Sequence, residues 1–137
     1  MIRYLLDTNV VSELRKTRPH GAVASWLAGL RPEQICISAV TVGELQAGIE
    51  IARPQDTQKA ESLAVWLDQI ASSHEILPMD GLCFREWGRL KYRLSHTLLE
   101  DAMIAASARV HGLTVATRNE RDFELFNVPI LNPFRSS

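Results

Sequence analysis

Cysteine is scarce in this chain, and its two copies, Cys36 and Cys83, lie far apart and match no metal-binding spacing. Cys36 falls in an apolar run and Cys83 in a helical pattern, so both read as plain buried thiols. Net charge is nearly absent: the formal value of −1 gives no overall positive field for nucleic acid, and any such binding needs a local patch. No apolar run approaches the ~18 residues that would cross a bilayer. No basic leader precedes an apolar core either, because Asp7 arrives too early. The expectation is a soluble, cytoplasmic protein without a membrane partner. Linkers, internal repeats and low-complexity segments are missing as well. With 137 residues, 46% hydrophobic and 23% charged, the chain fits one compact domain over 1–137 with one core.

What is present is organised around Tyr4-Leu5-Leu6-Asp7-Thr8-Asn9. Three apolar residues between polar ones read as a short strand buried on both faces, with Asp7 at its carboxyl end. In open α/β sheets that edge is where ligands bind. Helix capping by Asp7, Thr8 or Asn9 explains the same residues equally well. A short helix follows over Val10–Lys16, closed by the turn at Arg18-Pro19-His20-Gly21, and a second over Ala22–Leu30. Ile35-Cys36-Ile37 reads as a second strand. Ser38 or Thr41 then caps a helix with Val42, Leu45, Ile49 and Ala52 on one face, ended by Arg53-Pro54.

Asp56–Ser73 is an amphipathic helix and Glu75-Ile76-Leu77-Pro78 a third strand, short and ended by its proline. Cys83, Trp87, Leu90 and Leu94 share one helical face from Gly81 to about Leu94. The small-residue run from Asp101 to Ala108 forms a helix that packs closely on its neighbours and stops at Gly112. Leu113–Ala116 is a fourth strand, Asn119–Phe126 a turn, and Pro129-Ile130-Leu131 a last strand. This alternation predicts an α/β three-layer sandwich around a mostly parallel sheet of four to five strands.

Four acids sit where strands hand over to helices: Asp7, Glu44, Asp101 and Asp122. Crossover connections bring such positions to one sheet edge. Carboxylates gathered there repel one another and raise their own pKa values unless a cation holds them. Hard oxygen donors suit Mg²⁺ or Mn²⁺, and no His or Cys accompanies them as a zinc site would need. Local pattern also allows plainer roles. Thr41-x-x-Glu44, Thr97-x-x-Glu100 and Thr117-x-x-Glu120 are all capping-box patterns. Asp101 suits a helix's first turn, and Asp122 suits a solvated turn.

Together, Leu5-Leu6-Asp7-Thr8-Asn9, the segment Ser38–Leu45, the segment Glu100–Ala106 and the segment Val115–Phe123 resemble the PIN-domain nucleases. More narrowly the chain resembles the VapC/FitB-like toxins of type II toxin–antitoxin systems, and Ile130–Phe134 is similar to the FitB-like ending. The resemblance runs over essentially the whole chain. It implies that Asp7 and Asp101 bind Mg²⁺ (Mn²⁺ being an alternative) and that Glu44 is the catalytic glutamate. The fourth acid departs from the pattern: many relatives have Asp where Asn119 stands, others carry the acid three residues later, as Asp122 does. The segment between Leu94 and Asp101 is shorter than in many relatives and lacks their glycine.

Thr8 and Asn9 are expected to orient Asp7 or a metal-bound water, with Thr117 and Arg118 at the rim, where Arg118 can grip a phosphate. Asn119 can coordinate a metal or its water through a neutral oxygen but adds no charge. Arg85, Arg89 and Arg93 recur every four residues, either as a solvated face or as an RNA-backbone track. The implied activity is endoribonucleolytic hydrolysis leaving a 5′-phosphate and a 3′-hydroxyl. The implied partners are an RNA substrate, a cognate antitoxin and a second copy in a homodimer. Two other classes fit parts of the pattern. A receiver-like phosphotransfer domain also gathers Asp and Mg²⁺, but needs a Lys after a late strand where Thr117-Arg118 stands. A non-catalytic PIN-fold interaction module has no use for mutually repelling acids.

Overall fold

The structure is a computed structural model, which describes residues 1–92 and 98–135. Arg93, Leu94 and Thr97, each part of an expected pattern, lie outside the described residues.

Five short parallel strands form one sheet in the order β3-β2-β1-β4-β5. They are β1 (Tyr4–Leu6), β2 (Ile35–Ser38), β3 (Glu75–Leu77), β4 (Thr114–Ala116) and β5 (Ile130–Leu131). Central β1 pairs on both sides, Leu5 lying opposite Cys36 and Val115. That is why an unbroken apolar triplet suffices here: the strand meets no solvent on either face, and Leu5 and Leu6 are fully buried. Alternation still sorts the side chains. Leu5 joins Cys36, Val115, Ala102, Ile104, Ala105 and Ala108 in one cluster, whereas Tyr4 and Leu6 join Ile37, Ala116, Val10, Val11 and Val23 in the other.

Helices cover both faces. On the Leu5 side lie α5 (Gly81–Lys91), α6 (Leu99–His111) and α7 (Glu120–Glu124). The small residues Ala102, Ala105, Ala106 and Ala108 are all buried, so α6 sits close against its neighbours. Gly112 ends it at φ 67°, a left-handed turn that costs glycine nothing. On the other side lie α1 (Thr8–Val11), α2 (Gly21–Ala28) and α4 (Thr57–Ser73). Helix α3 (Ala39–Ala52) pairs with α4 over Ile49, Ala60 and Leu67. The three-layer parallel α/β expectation is borne out.

Two local expectations change. The first helix starts at Thr8, not Val10, because Asp7 takes the N-cap and accepts from the Thr8 N–H; it tightens into a 3₁₀ turn over Ser12–Arg15. The stretch after β4 is not a plain turn, since Glu120–Glu124 form α7 and Phe123 anchors it in the core. No helix among the described residues is long and apolar enough to cross a membrane.

Candidate active site

Asp7 leaves β1 in register. Its N–H donates to the Ala116 carbonyl at 2.9 Å, extending the β1–β4 ladder by one residue. Its side chain is 3% exposed, which is unusual for a carboxylate. Three donors justify the burial: the Thr8 N–H at 2.8 Å, Asn9 Nδ2 at 3.1 Å and Thr117 Oγ1 at 2.7 Å. Burial pushes its pKa up, and the bonds from Thr117, Thr8 and Asn9 pull the other way.

Glu44 resolves an ambiguity. Helix α3 is capped by Ser38, whose Oγ accepts from the Val40 N–H at 3.0 Å, so Thr41 lies inside the helix and no Thr41–Glu44 capping box forms. The Glu44 carboxylate instead accepts from the Thr8 hydroxyl at 2.8 Å. Because that hydroxyl has one proton and gives it to Glu44, the Thr41 hydroxyl 3.1 Å away must donate to Thr8. Buried Thr41 is thus a site residue that sequence pattern assigned to capping. The Glu44 pKa is raised, first by burial of its carboxyl end and then by Asp7 and Glu100, against the Thr8 bond.

Asp101 lies in the first turn of α6, half-buried. Its carboxyl is pushed up to about 7 by burial and by the charges of Asp7, Asp122, Glu44 and Glu100, in that order. All four expected acids therefore share one electrostatic neighbourhood. Glu100 joins them as a fifth, where its sequence pattern suggested only a cap; its partner in that pattern, Thr97, lies outside the described residues.

The β4 exit supplies the far wall. Thr117 is fully buried; while donating to Asp7 it accepts from the Asn119 N–H at 2.9 Å. No Thr117–Glu120 capping box forms, since Glu120 is held by Asn132 Nδ2 at 3.0 Å and Arg135 at 2.7 Å. The Arg118 N–H donates to Asn9 Oδ1 at 3.2 Å, and its guanidinium lies 4.2 Å from the Phe134 ring centre. Asn119 caps α7 without a side-chain bond and, with Arg118 and Asp122, lines an open cavity of about 520 Å³.

Among the described residues, no three His, Cys, Asp or Glu side chains close round an ion as they stand. The arrangement is a wide cup of hard oxygens rather than a cage. Such a donor set fits a small divalent cation that keeps part of its own water shell, and it does not fit zinc. No lysine follows β4, which leaves the receiver-like alternative without its partner.

Comparison with known proteins agrees with this geometry. The PIN domain family matches residues 4–128. Toxin FitB of Neisseria gonorrhoeae is 34% identical over 95% of this chain and 97% of its own. VapC ribonuclease Y4jK of Sinorhizobium fredii is 34% identical over 95% of this chain and 96% of its own. The crystal structure of FitAcB from Neisseria gonorrhoeae superimposes with a TM-score of 0.85 at 34% identity, covering 97% of this chain and 99% of that one. With the strand order, the buried Asp7 and the shared acidic cup already in place, the chain belongs to the PIN-domain family, among its VapC/FitB-type members.

Proposed function

We propose that this protein is a metal-dependent endoribonuclease and the toxin of a type II toxin–antitoxin pair, working as one cytoplasmic domain over 1–137. The observation that carries the reading is the gathering of Asp7, Asp122, Glu44 and Glu100 around Asp101, whose carboxyl is pushed up to about 7 by burial first and by their charges second. A protein without use for a cation gains nothing from that arrangement. Its relatives' names, a toxin and a ribonuclease, support the same reading.

Asp7 and Asp101 are the proposed oxygen ligands, with Mg²⁺ first and Mn²⁺ second in fit. When bound, the cation would offset phosphate charge and make water more acidic. The rest falls to the chain. Thr117, Thr8 and Asn9 orient Asp7 and favour its ionised form against the burial that opposes it. Thr8 holds Glu44 through Oε1, and Glu44 takes the proton of the attacking water. Asp122 adds outer charge, while Arg118 and Asn119 meet the RNA backbone. In-line attack on phosphorus then breaks the bond to the 3′-oxygen, which takes up a proton from solvent, leaving a 5′-phosphate and a 3′-hydroxyl. A cognate antitoxin would silence the site most directly by placing a basic side chain among the carboxylates. A homodimer is the proposed assembly.

Purified protein incubated with total RNA and Mg²⁺ is expected to cleave it, to stop in EDTA and to resume when Mg²⁺ or Mn²⁺ is restored. Full cleavage in chelator overturns the metal reading. Absence of cleavage of any RNA, with metal bound, favours the non-catalytic interaction module instead.

A further inference from the structure

The chain's last described turn is tied to α7 and to the segment that leaves β4. Asn132 Oδ1 accepts from the Phe134 N–H at 2.9 Å, and the Asn132 carbonyl from the Arg135 N–H at 3.3 Å. With Pro133 fixing φ between them, Asn132–Arg135 fold into a tight hook. Asn132 Nδ2 fastens that hook to α7 through Glu120, and Arg135 reinforces it. Phe134 then stacks edge-on against His20, ring centres 5.3 Å apart, and carries Arg118 on its face.

We propose that this hook belongs to the substrate site: Phe134 positions the Arg118 guanidinium, which, with Arg121 and Arg135, receives an RNA phosphodiester next to the one cleaved. The inference rests on the nuclease reading. Arg118 is fixed at both ends, by its N–H on Asn9, which in turn holds Asp7, and by the ring beneath its guanidinium. Among the described residues no carboxylate pairs with it. Face-on contact with an aromatic ring leaves the in-plane N–H donors of a guanidinium available for a phosphate fork. An arginine already ordered loses less entropy on binding than a free surface one.

The cavity it lines, about 520 Å³, is large enough for a nucleotide, and it shares Asn119 and Asp122 with the acidic cup. A polymer lying across the cup therefore has to pass it. Of the acids there, Glu120 is already engaged by Arg135 and Asn132. Asp122 belongs to the cup a cation would offset, and Glu124 stands alone against Arg118 and Arg121.

The test uses full-length protein carrying Asp101→Asn, so that a fluorescent single-stranded RNA decamer of mixed sequence stays intact, with anisotropy titrations repeated across NaCl concentrations. Arg118→Gln is expected to weaken binding about tenfold and to flatten the slope of log affinity against log salt by about 0.7, the share of one phosphate contact. Phe134→Leu should reproduce most of that loss, Phe134→Tyr should recover it, and Arg118→Gln with Phe134→Leu should be no worse than Arg118→Gln alone. In otherwise wild-type enzyme, Phe134→Leu should raise KM and leave kcat nearly unchanged. Equal affinity and slope in all variants, while the parent binds RNA and the wild type cleaves it, overturns this inference and leaves the nuclease reading intact. Loss of binding in Phe134→Tyr as large as in Phe134→Leu, with melting temperatures unchanged, overturns the positioning role. A protein that neither binds nor cleaves RNA removes the nuclease reading, and this inference with it.

Discussion

Thr117 donates its hydroxyl proton to Asp7 at 2.7 Å, joining the end of β4 to the end of β1 in a fully buried contact. The same oxygen accepts from the Asn119 N–H, so one side chain both steadies the candidate metal carboxylate and shapes the turn into α7. A buried carboxylate is tolerable only when its lone pairs are met, and Thr117 meets the one that Thr8 and Asn9 do not fully satisfy.

Thr117→Val keeps the volume and removes both bonds. Stability at neutral pH is expected to fall by about 1–3 kcal/mol, because a buried anion and a backbone donor each lose a partner. The Asp7 pKa should climb further, so the acid limb of cleavage moves to higher pH. Thr117→Ser should restore both properties. Thermal melts and a pH–rate profile check this; a valine variant with wild-type values would make the bond incidental.

Asp101 governs the pH dependence. Its folded carboxyl titrates at about 7 against an ordinary 3.8, so the folded chain holds that proton more tightly than the unfolded one between those values. The contribution of Asp101 to the stability of the metal-free protein is therefore greatest at acid pH and is lost as pH rises through that window. Cation binding runs the opposite way, since it competes with the same proton, and cleavage should rise toward a plateau above about 7. Asp101→Asn should abolish cleavage, keep or raise the melting temperature at pH 8, and flatten the melting-temperature-against-pH curve measured in EDTA. An unchanged slope in that variant assigns the pH dependence to other groups.

Thr8 touches two acids by different atoms: its N–H serves Asp7 and its hydroxyl serves Glu44. Thr8→Val spares the first and deletes the second, together with the oxygen to which the Thr41 hydroxyl donates. The expected result is a kcat lowered about 10–100-fold, the range for loss of an orienting partner, with little change in RNA affinity; Thr8→Ser should recover it. A valine variant that loses affinity but keeps kcat would assign Thr8 to substrate binding instead.

How far the sequence spoke depends on what each residue's partners are. The Tyr4–Leu6 triplet and the alternation of elements announced a covered parallel sheet, because burial on both faces writes itself into composition. Asp7 was legible for the same reason, as the polar residue directly after the triplet. Glu44 was not separable from a helix cap, since that distinction turns on whether Ser38 or Thr41 ends the preceding strand, a matter of backbone geometry. Thr41 was hidden behind a capping pattern that the fold does not use, and Glu100 behind one whose Thr97 lies outside the described residues. Helix α7 was missed because five residues are too few to show a period, and its stability comes from Phe123 in the core rather than from propensity. The Arg118–Phe134 contact joins positions on different elements that no local pattern relates.

Asp122 and Asn119 should behave unequally, and α7 makes their exchange testable. Asp122 lies in the first turn of that helix and its charge is felt at Asp101, whereas Asn119 is the N-cap and contributes none. Asp122→Ala is expected to weaken Mg²⁺ binding and to lower cleavage at limiting metal. It should also move the apparent pKa of the pH–rate profile below about 7, because one of the charges raising Asp101 is gone. Restoring an acid with Asn119→Asp in the double variant should recover part of the metal affinity. An N-cap aspartate is well tolerated, and an outer carboxylate acts through total charge and the water it orients more than through one fixed bond. The measurement is a Mg²⁺ titration of initial rate for wild type, both single variants and the double, repeated at two pH values. If Asp122→Ala titrates like wild type at both, Asp122 is a helix residue only, and Asp7, Glu44 and Asp101 form the whole acidic site.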